Sequence, residues 1–118
     1  MIGLWLPVVV WMATISYAAA LPHVPGPAAS LSDTALHVSG YAVMGLLTLR
    51  ATAKGSWAGV TARAILLAFV IAVVHGLSVE VEQMFVPTRY AEWRDAANNT
   101  IGAATGLTVA WAWSKIRG

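Results

Sequence analysis

The chain has 118 residues, of which 58% are hydrophobic and only 10% are charged, and its formal net charge is +2. A chain of this length forms one domain, residues 1–118, and its apolar content far exceeds that of an ordinary soluble domain. The seven basic residues are scattered and form no stripe with aromatic residues, which argues against nucleic acid as a partner. The lack of cysteine excludes disulfides, thiolate metal sites and thiol catalysis.

The first predicted helix spans residues 1–21, which carry no charged side chain and end at Pro22. Its length suits a membrane-spanning helix. A signal peptide is the alternative, because the alanines at 18–20 resemble a cleavage site. We favour a retained helix, since the start of the chain has no lysine or arginine and the apolar run is longer than a signal peptide needs. The proline-rich segment 22–32 then forms the first loop.

Three further helices follow, separated by proline, glycine and charged residues. Ser32 or Asp33 caps the second helix, because both residue types are favoured at that position. The uncharged stretches of these helices have only about sixteen residues, near the lower limit for crossing a bilayer. We predict the second helix from 32 or 33 to about 49, the third from about 61–63 to 83–85, and the fourth from about 95 to 114.

Four helices joined by short loops predict an all-α fold, a small integral membrane bundle of four antiparallel, up-and-down transmembrane helices. Open strands are excluded, because their backbone groups would be unsatisfied in lipid. The loop between the second and third helices and the two termini share five basic residues, and the other side has two. The side with more lysine and arginine is predicted to face the cytoplasm, which places both termini there. The protein is thus predicted to be a multi-pass protein of the inner, cytoplasmic membrane. The five are Arg50, Lys54, Arg63, Lys115 and Arg117, and the two are Arg89 and Arg94.

The acidic residues are few, and the predicted topology brings them to the outer end of the bundle. On the second helix, Asp33, His37 and Tyr41 are spaced by four and share a face. Near the end of the third helix, Glu80 and Gln83 share another face, whereas Glu82 lies on the opposite side. Ionisable groups inside a membrane bundle are costly and usually functional, so their convergence predicts a site.

The fourth helix contributes the remaining polar groups. Asp95 and Asn99 fall on one stripe with Gly102 and Gly106, a small-xxx-small pattern that lets a neighbouring helix approach closely. The two glycines are thus predicted to pack against another helix and to turn the stripe inward. Arg89 adds a guanidinium fork suited to carboxylate or phosphate. The candidate polar pocket therefore consists of Asp33, His37, Tyr41, Glu80, Gln83, Arg89, Asp95 and Asn99.

The spacing of these residues resembles the VanZ-like family of small membrane proteins. The matching pattern runs over residues 33–106, as Asp33-xxx-His37-xx-Gly40-Tyr41 and Glu80-xx-Gln83-xxx-Pro87-x-Arg89-xxxxx-Asp95-xxx-Asn99-xx-Gly102-xxx-Gly106. Two positions depart from it. Thr34 stands where the family often has lysine, which removes a charge partner, and Thr88 stands where it usually has glycine, which alters the turn before the arginine.

The resemblance implies an integral membrane protein linked to the cell envelope, since the founding member is associated with teicoplanin resistance. The resemblance identifies Glu80, and not Glu82, as the acid that matches the family pattern. It implies no particular reaction, so catalytic residues stay unassigned. We expect a pocket that binds a lipid- or glycan-linked envelope component. The alternative is an acid/base hydrolase or transferase acting on a phosphate- or glycan-bearing lipid, and an ion-coupled carrier is disfavoured by the small size. We expect membrane lipids as partners and no metal or cofactor, and homo-oligomerisation stays open.

Overall fold

In a computed structural model, the protein is described over residues 2–21, 32–86 and 93–117. Four α-helices account for most of these residues, and no strand occurs in the described ranges. The helices are α1 (Ile2–Ala20), α2 (Asp33–Thr52), α3 (Ala62–Gln83) and α4 (Trp93–Arg117). The all-α prediction is confirmed. The predicted boundaries lie within about three residues of those observed, because prolines, glycines and charged residues interrupt the apolar segments where the helices end.

Hydroxyl side chains cap the starts of α2 and α3. The Ser32 side chain accepts a hydrogen bond from Ala35 N, 3.1 Å, so Ser32, and not Asp33, is the N-cap of α2. Thr61 caps α3 in the same way through Ala64 N. Each cap satisfies one of the amide groups that the first turn leaves without a partner.

A compact turn joins α2 to α3. Lys54 and Gly55 both adopt positive φ, and a short 3-10 turn follows at Trp57–Gly59. A Cβ atom at Gly59 would overlap the Ala53 carbonyl, so only glycine fits there. The turn therefore brings α3 back antiparallel to α2.

Contacts between the helices show how they are arranged. α2 and α3 touch each other, and both touch α1 on one side and α4 on the other. Consecutive helices run antiparallel, so the neighbouring pair α2 and α4 is parallel. That pair makes the most extensive contact in the protein. The bundle therefore has the order α1, α2, α4, α3 around its perimeter.

All four helices have at least 19 residues, roughly 28 Å or more at 1.5 Å per residue, about the thickness of a bilayer core. Among the described residues, only α1 and α3 are also apolar enough to qualify as membrane spans. α2 and α4 each carry more glycine and threonine than α1 or α3, and α4 also carries two asparagines and four charged residues. The predicted four-span bundle is thus supported by composition for two helices, and the two more polar helices are the pair that packs most closely.

The two ends of the bundle differ in charge. The acidic end is the end where α2 and α4 begin and α3 stops, and it carries Glu80, Glu82 and Asp95. The basic end is the opposite end. Its five basic side chains are all exposed and comprise Arg50, Lys54, Arg63, Lys115 and Arg117. Five of the seven lysines and arginines therefore lie at the basic end, whereas Arg94, next to Asp95, lies at the acidic end.

Candidate functional site

Glycines hold α4 against α2 and so position the polar side chains of α4. A Cβ atom at Gly102 would overlap the carbonyl of Val38, and a Cβ atom at Gly106 would overlap that of Ala42. Gly45 of α2 also lies close to the backbone of α4, since a Cβ atom placed there would lie 3.0 Å from the carbonyl oxygen of Ala103. The two backbones therefore meet with no side chain between them, as small residues allow.

One turn nearer the acidic end, a histidine links the two helices. The His37 ring donates from Nδ1 to Oδ1 of Asn99 at 2.5 Å, and its Nε2 lies 3.7 Å from Oδ1 of Asp95. Asp95 and Asn99 are four residues apart, so they face α2 together. The side chains of His37 and Asp95 are only 18% and 16% exposed. The carboxylate of Asp95 thus lies beside the imidazole ring of His37 in a largely buried position.

α3 approaches this pair through Gly76. A Cβ atom there would lie 3.3 Å from Nδ2 of Asn99 and 3.4 Å from Cε1 of Tyr41. Tyr41 and Asn99 are each 2% exposed. The missing side chain of Gly76 therefore lets an amide from α4 and a phenol from α2 meet on α3.

A second set of hydrogen bonds connects α1, α2 and α3. The Tyr41 hydroxyl bonds to Nδ1 of His75 at 3.0 Å, and Nε2 of His75 bonds to Oγ of Ser16 at 3.3 Å. From the sequence, His75 is expected to be a polar packing residue and not a ligand, and Ser16 shows no sign of a role. The signal for His75 was present in the sequence, since it is the one ionisable residue between Arg63 and Glu80 and such residues inside apolar helices are usually paired.

The acids of α3 separate as their positions on the helix predict. Glu80 is 7% exposed, whereas Glu82 is exposed. Gln83 lies one turn beyond Glu80 and is 2% exposed. Oε1 of Gln83 and Nδ2 of Asn99 are buried polar atoms that have no hydrogen-bond partner among the described residues. Such atoms are rare in folded proteins and call for an explanation.

A cavity of about 280 Å³ adjoins these residues between α1, α2 and α3. Its α1 wall is mainly apolar, with Trp11, Ile15 and two alanines. His37, Tyr41 and Gln83 also line it. The cavity is thus apolar over most of its surface and polar where it reaches the buried groups at the acidic end.

Two members of the predicted pocket lie outside this description. Arg89 falls in the segment 87–92, outside the described residues, and so does the predicted role of its guanidinium group. Asp33 is the first residue of α2, but its side chain is likewise outside the description. Of the predicted set, six side chains are described: His37, Tyr41, Glu80, Gln83, Asp95 and Asn99.

The described part of the site offers no ready-made metal centre. His37 contacts Asn99 and Asp95, and Tyr41 contacts His75. In residues 2–21, 32–86 and 93–117, no three histidine, aspartate or glutamate side chains are arranged to hold a metal ion.

The comparisons with known proteins identify the family. The chain matches no curated protein and no solved structure. The family model described as VanZ/LLP1 matches residues 9–114, which is nearly the whole chain and extends the resemblance from α2–α4 into α1. The protein therefore belongs to the VanZ/LLP1 family.

Proposed function

We propose that the protein is an integral membrane protein that binds a lipid-linked component of the cell envelope at the acidic end of the bundle. The observation that carries the proposal is the cavity, whose apolar walls meet His37, Tyr41 and Gln83. Pockets for small molecules commonly combine mostly apolar walls with a few fixed polar groups. An amphipathic ligand would place its chain against α1 and its polar part against these side chains.

The outer surface of the helices supports placement in a membrane. α3 exposes large apolar side chains along its whole length, and α1 does so over most of its length. An apolar surface of this extent is unfavourable in water but suits contact with lipid chains. The exposed residues of α3 include Leu66, Leu67, Val70, Val74, Leu77 and Val81, and those of α1 include Ile2, Leu6, Val9 and Val10.

The charge difference between the ends supports one orientation. Five basic side chains gather at the basic end, so the positive-inside rule would place that end in the cytoplasm together with both termini. The acidic end and its cavity would then face outward, toward the cell envelope. That position fits a role in envelope physiology or in resistance to glycopeptide antibiotics of the teicoplanin type, which the family resemblance implies.

The orientation is tested by labelling introduced cysteines, because the chain contains none of its own. Met84 is exposed beside the acidic end and Ser56 is exposed at the basic end. In intact cells, a membrane-impermeant thiol reagent should label Met84→Cys and leave Ser56→Cys unlabelled until the membrane is opened. Labelling of both positions in intact cells would contradict the proposed topology.

The binding function is tested by filling the cavity. Gly40 lines it, and a Cβ atom there would have only Ile15 Cδ1 nearby, at 4.0 Å. Gly40→Leu should therefore occupy the space without displacing backbone. Protein purified in a mild detergent would be compared by native mass spectrometry for lipids that remain bound.

Wild type should retain a lipid that Gly40→Leu loses. The control is Ala104→Leu, which adds a leucine at an exposed position of α4 and should retain the lipid. Equal retention by wild type and both variants would place the bound lipid elsewhere and refute the cavity as its site.

One observation favours a second candidate function. His37 lines the cavity and has Asp95 3.7 Å from Nε2, an arrangement in which a carboxylate supports a general acid or base. The second candidate is thus a membrane-embedded hydrolase or transferase acting on a phosphate- or glycan-bearing lipid. Incubation with lipid extracts should then give a new lipid product with wild type and none with His37→Gln. Recovery of unchanged lipid from the wild-type protein would favour the binding function.

A further inference from the structure

The cavity lies in the half of the bundle next to the acidic end. Its lining residues on α1 run from Trp11 to Ala19, and those on α2 run from Leu36 to Val43. Trp11 is at the midpoint of α1, and Val43 is beside the midpoint of α2. At about 1.5 Å per residue, each lined stretch is roughly 10–12 Å long. The cavity is therefore a groove that runs along the helices from the middle of the bundle toward the acidic end.

The groove opens on the flank of the bundle between α1 and α2. Three of its lining residues are exposed, namely Thr14 on α1 and Ser39 and Val43 on α2. The residues of α3 that line it, Val79 and Gln83, are only 1% and 2% exposed. The opening therefore lies where α1 and α2 face the surroundings, and α3 forms the inner wall.

The side chains at this opening suit contact with hydrocarbon. The hydroxyl of Thr14 donates to Val10 O at 2.8 Å, and that of Ser39 donates to Ala35 O at 2.6 Å. In lipid, polar groups must find partners within the protein, and bonds to a carbonyl of the preceding turn meet that need. Val43, the third exposed residue, is apolar. None of these three side chains therefore needs water as a hydrogen-bond partner.

The opening also lies at the depth of a single leaflet. Thr14 is six residues from the end of α1 and Ser39 is six residues from the start of α2, which is roughly 9 Å from the acidic end. Val43 lies ten residues from that start, or roughly 15 Å. The hydrocarbon core is about 30 Å thick, so each leaflet contributes about 15 Å. With the helix ends at the membrane surfaces, the groove falls within the leaflet next to the acidic end.

The two ends of the groove have the polarity of a lipid in that leaflet. At the deep end, the indole Nε1 of Trp11 donates to Gly40 O at 2.9 Å, so the ring reaches from α1 to α2. At the other end, the groove reaches His37 and Gln83. A hydrocarbon chain would thus lie against the aromatic ring at the middle of the membrane, and a polar group would lie near its surface.

We propose that a lipid of the leaflet next to the acidic end enters the groove sideways from the bilayer, through the opening between α1 and α2. It lays one hydrocarbon chain along the groove, from Trp11 toward His37. This inference rests on the proposed lipid-binding function and specifies the source of the ligand. The ligand is a lipid that resides in the bilayer, and not an amphiphile or a glycan taken up from water.

Cysteine labelling in intact cells tests what the opening faces. Ser39→Cys should react with a membrane-soluble maleimide and resist a membrane-impermeant one. Val74→Cys, on the exposed apolar surface of α3, is the control that faces lipid and should behave in the same way. Met84→Cys, beside the acidic end, should react with both reagents. Reaction of Ser39→Cys with the impermeant reagent would show that the opening faces water, which overturns the lateral route.

Closing the opening tests the route itself. A variant with both Thr14→Cys and Ser39→Cys has one thiol on each helix, and a short bifunctional thiol reagent can join them. Protein that is stripped of lipid in detergent and then joined should take up no lipid from an extract of the host membrane. Protein that is joined in the membrane should keep its lipid through the same stripping. The same variant without the reagent is the control and should both lose and regain lipid, as measured by native mass spectrometry.

The outcomes separate the lateral route from the binding function. Equal lipid uptake by the joined and the unjoined protein would place the entrance elsewhere, which overturns the lateral route and leaves lipid binding intact. Gly40→Leu tests binding separately. If that variant retains the same lipids as wild type, no lipid lies in the groove and both proposals fail.

Discussion

The contacts of α4 and of α1 with the same helix, α2, differ in kind. α4 meets α2 through Gly102 and Gly106, whose missing side chains let the two backbones touch. α1 meets α2 through side chains, including a hydrogen bond of 2.9 Å from Nε1 of Trp11 to Gly40 O. Gly40 is also a glycine inside a helix, but a Cβ atom there would have only Ile15 Cδ1 nearby, at 4.0 Å. The α2–α4 contact is thus made backbone to backbone, whereas the α1–α2 contact leaves a cavity.

The difference separates two tasks. The close α2–α4 contact fixes the spacing of His37, Asn99 and Asp95, which come from both helices. The more open α1 contact leaves the volume in which a ligand would lie. The polar groups are therefore positioned by the close contact between α2 and α4. The cavity lies where α1 packs less closely on α2.

The largest expected effect is on the close contact. Gly102→Leu would force a side chain into the backbone of Val38, which cannot move aside as a side chain can. We expect a loss of stability of about 3 kcal/mol, or no recoverable folded protein. Thermal unfolding in detergent measures it, with Ala97→Leu on an exposed position of α4 as the control. If the two variants melt at the same temperature, α2 and α4 are not in backbone contact.

A smaller loss should follow from removing the polar link between these helices. Asn99→Ala deletes the acceptor of His37 and leaves Nδ1 of this partly buried ring without that partner. We expect a cost of about 1–3 kcal/mol. Asn98→Ala is the matched control, because Asn98 makes only an exposed contact of 3.5 Å to Thr34 Oγ1. Similar melting temperatures for both alanine variants would contradict a structural role for the His37–Asn99 bond.

The smallest effect should have the opposite sign. Gly40→Ala adds a methyl group into open space and replaces glycine inside a helix, which should stabilise the protein by about 0.5–1 kcal/mol. Gly102→Ala makes the same chemical change at the close contact and should destabilise it. The two melting temperatures should move in opposite directions from wild type. A shift of the same sign for both would remove the distinction between the two contacts.

Helix positions and the inward faces of the polar residues follow from the sequence for simple physical reasons. Proline, glycine and charge end apolar segments, so the four helices are apparent without coordinates. Spacing of three and four places Glu80 beside Gln83 and Asp95 beside Asn99. In the structure Glu80 is buried and Glu82 is exposed. The positions of small and polar residues therefore predict which faces of α2, α3 and α4 point into the bundle.

The packing of α1 could not be predicted in the same way. A helix that is apolar all round gives no periodic signal, because its lipid-facing and protein-facing sides have the same composition. The contact of Ser16 with His75, and the cavity next to it, depend on how α1 rotates against α2 and α3. The role of Gly45 was missed because it pairs with Ala103 across helices and forms no spaced motif within α2.

The parallel arrangement of α2 and α4 has an electrostatic consequence. Each helix is partially positive where it begins and partially negative where it ends, and two parallel helices add these ends together. Asp95 lies in the first turn of α4, Arg50 in the last turn of α2, and Lys115 and Arg117 in the last turn of α4. Each charge therefore opposes the partial charge of its helix end. Arg50, Lys115 and Arg117, three of the five basic residues expected to hold this end in the cytoplasm, therefore also stabilise helix termini, so their neutralisation would weaken both the orientation in the membrane and the local helix structure.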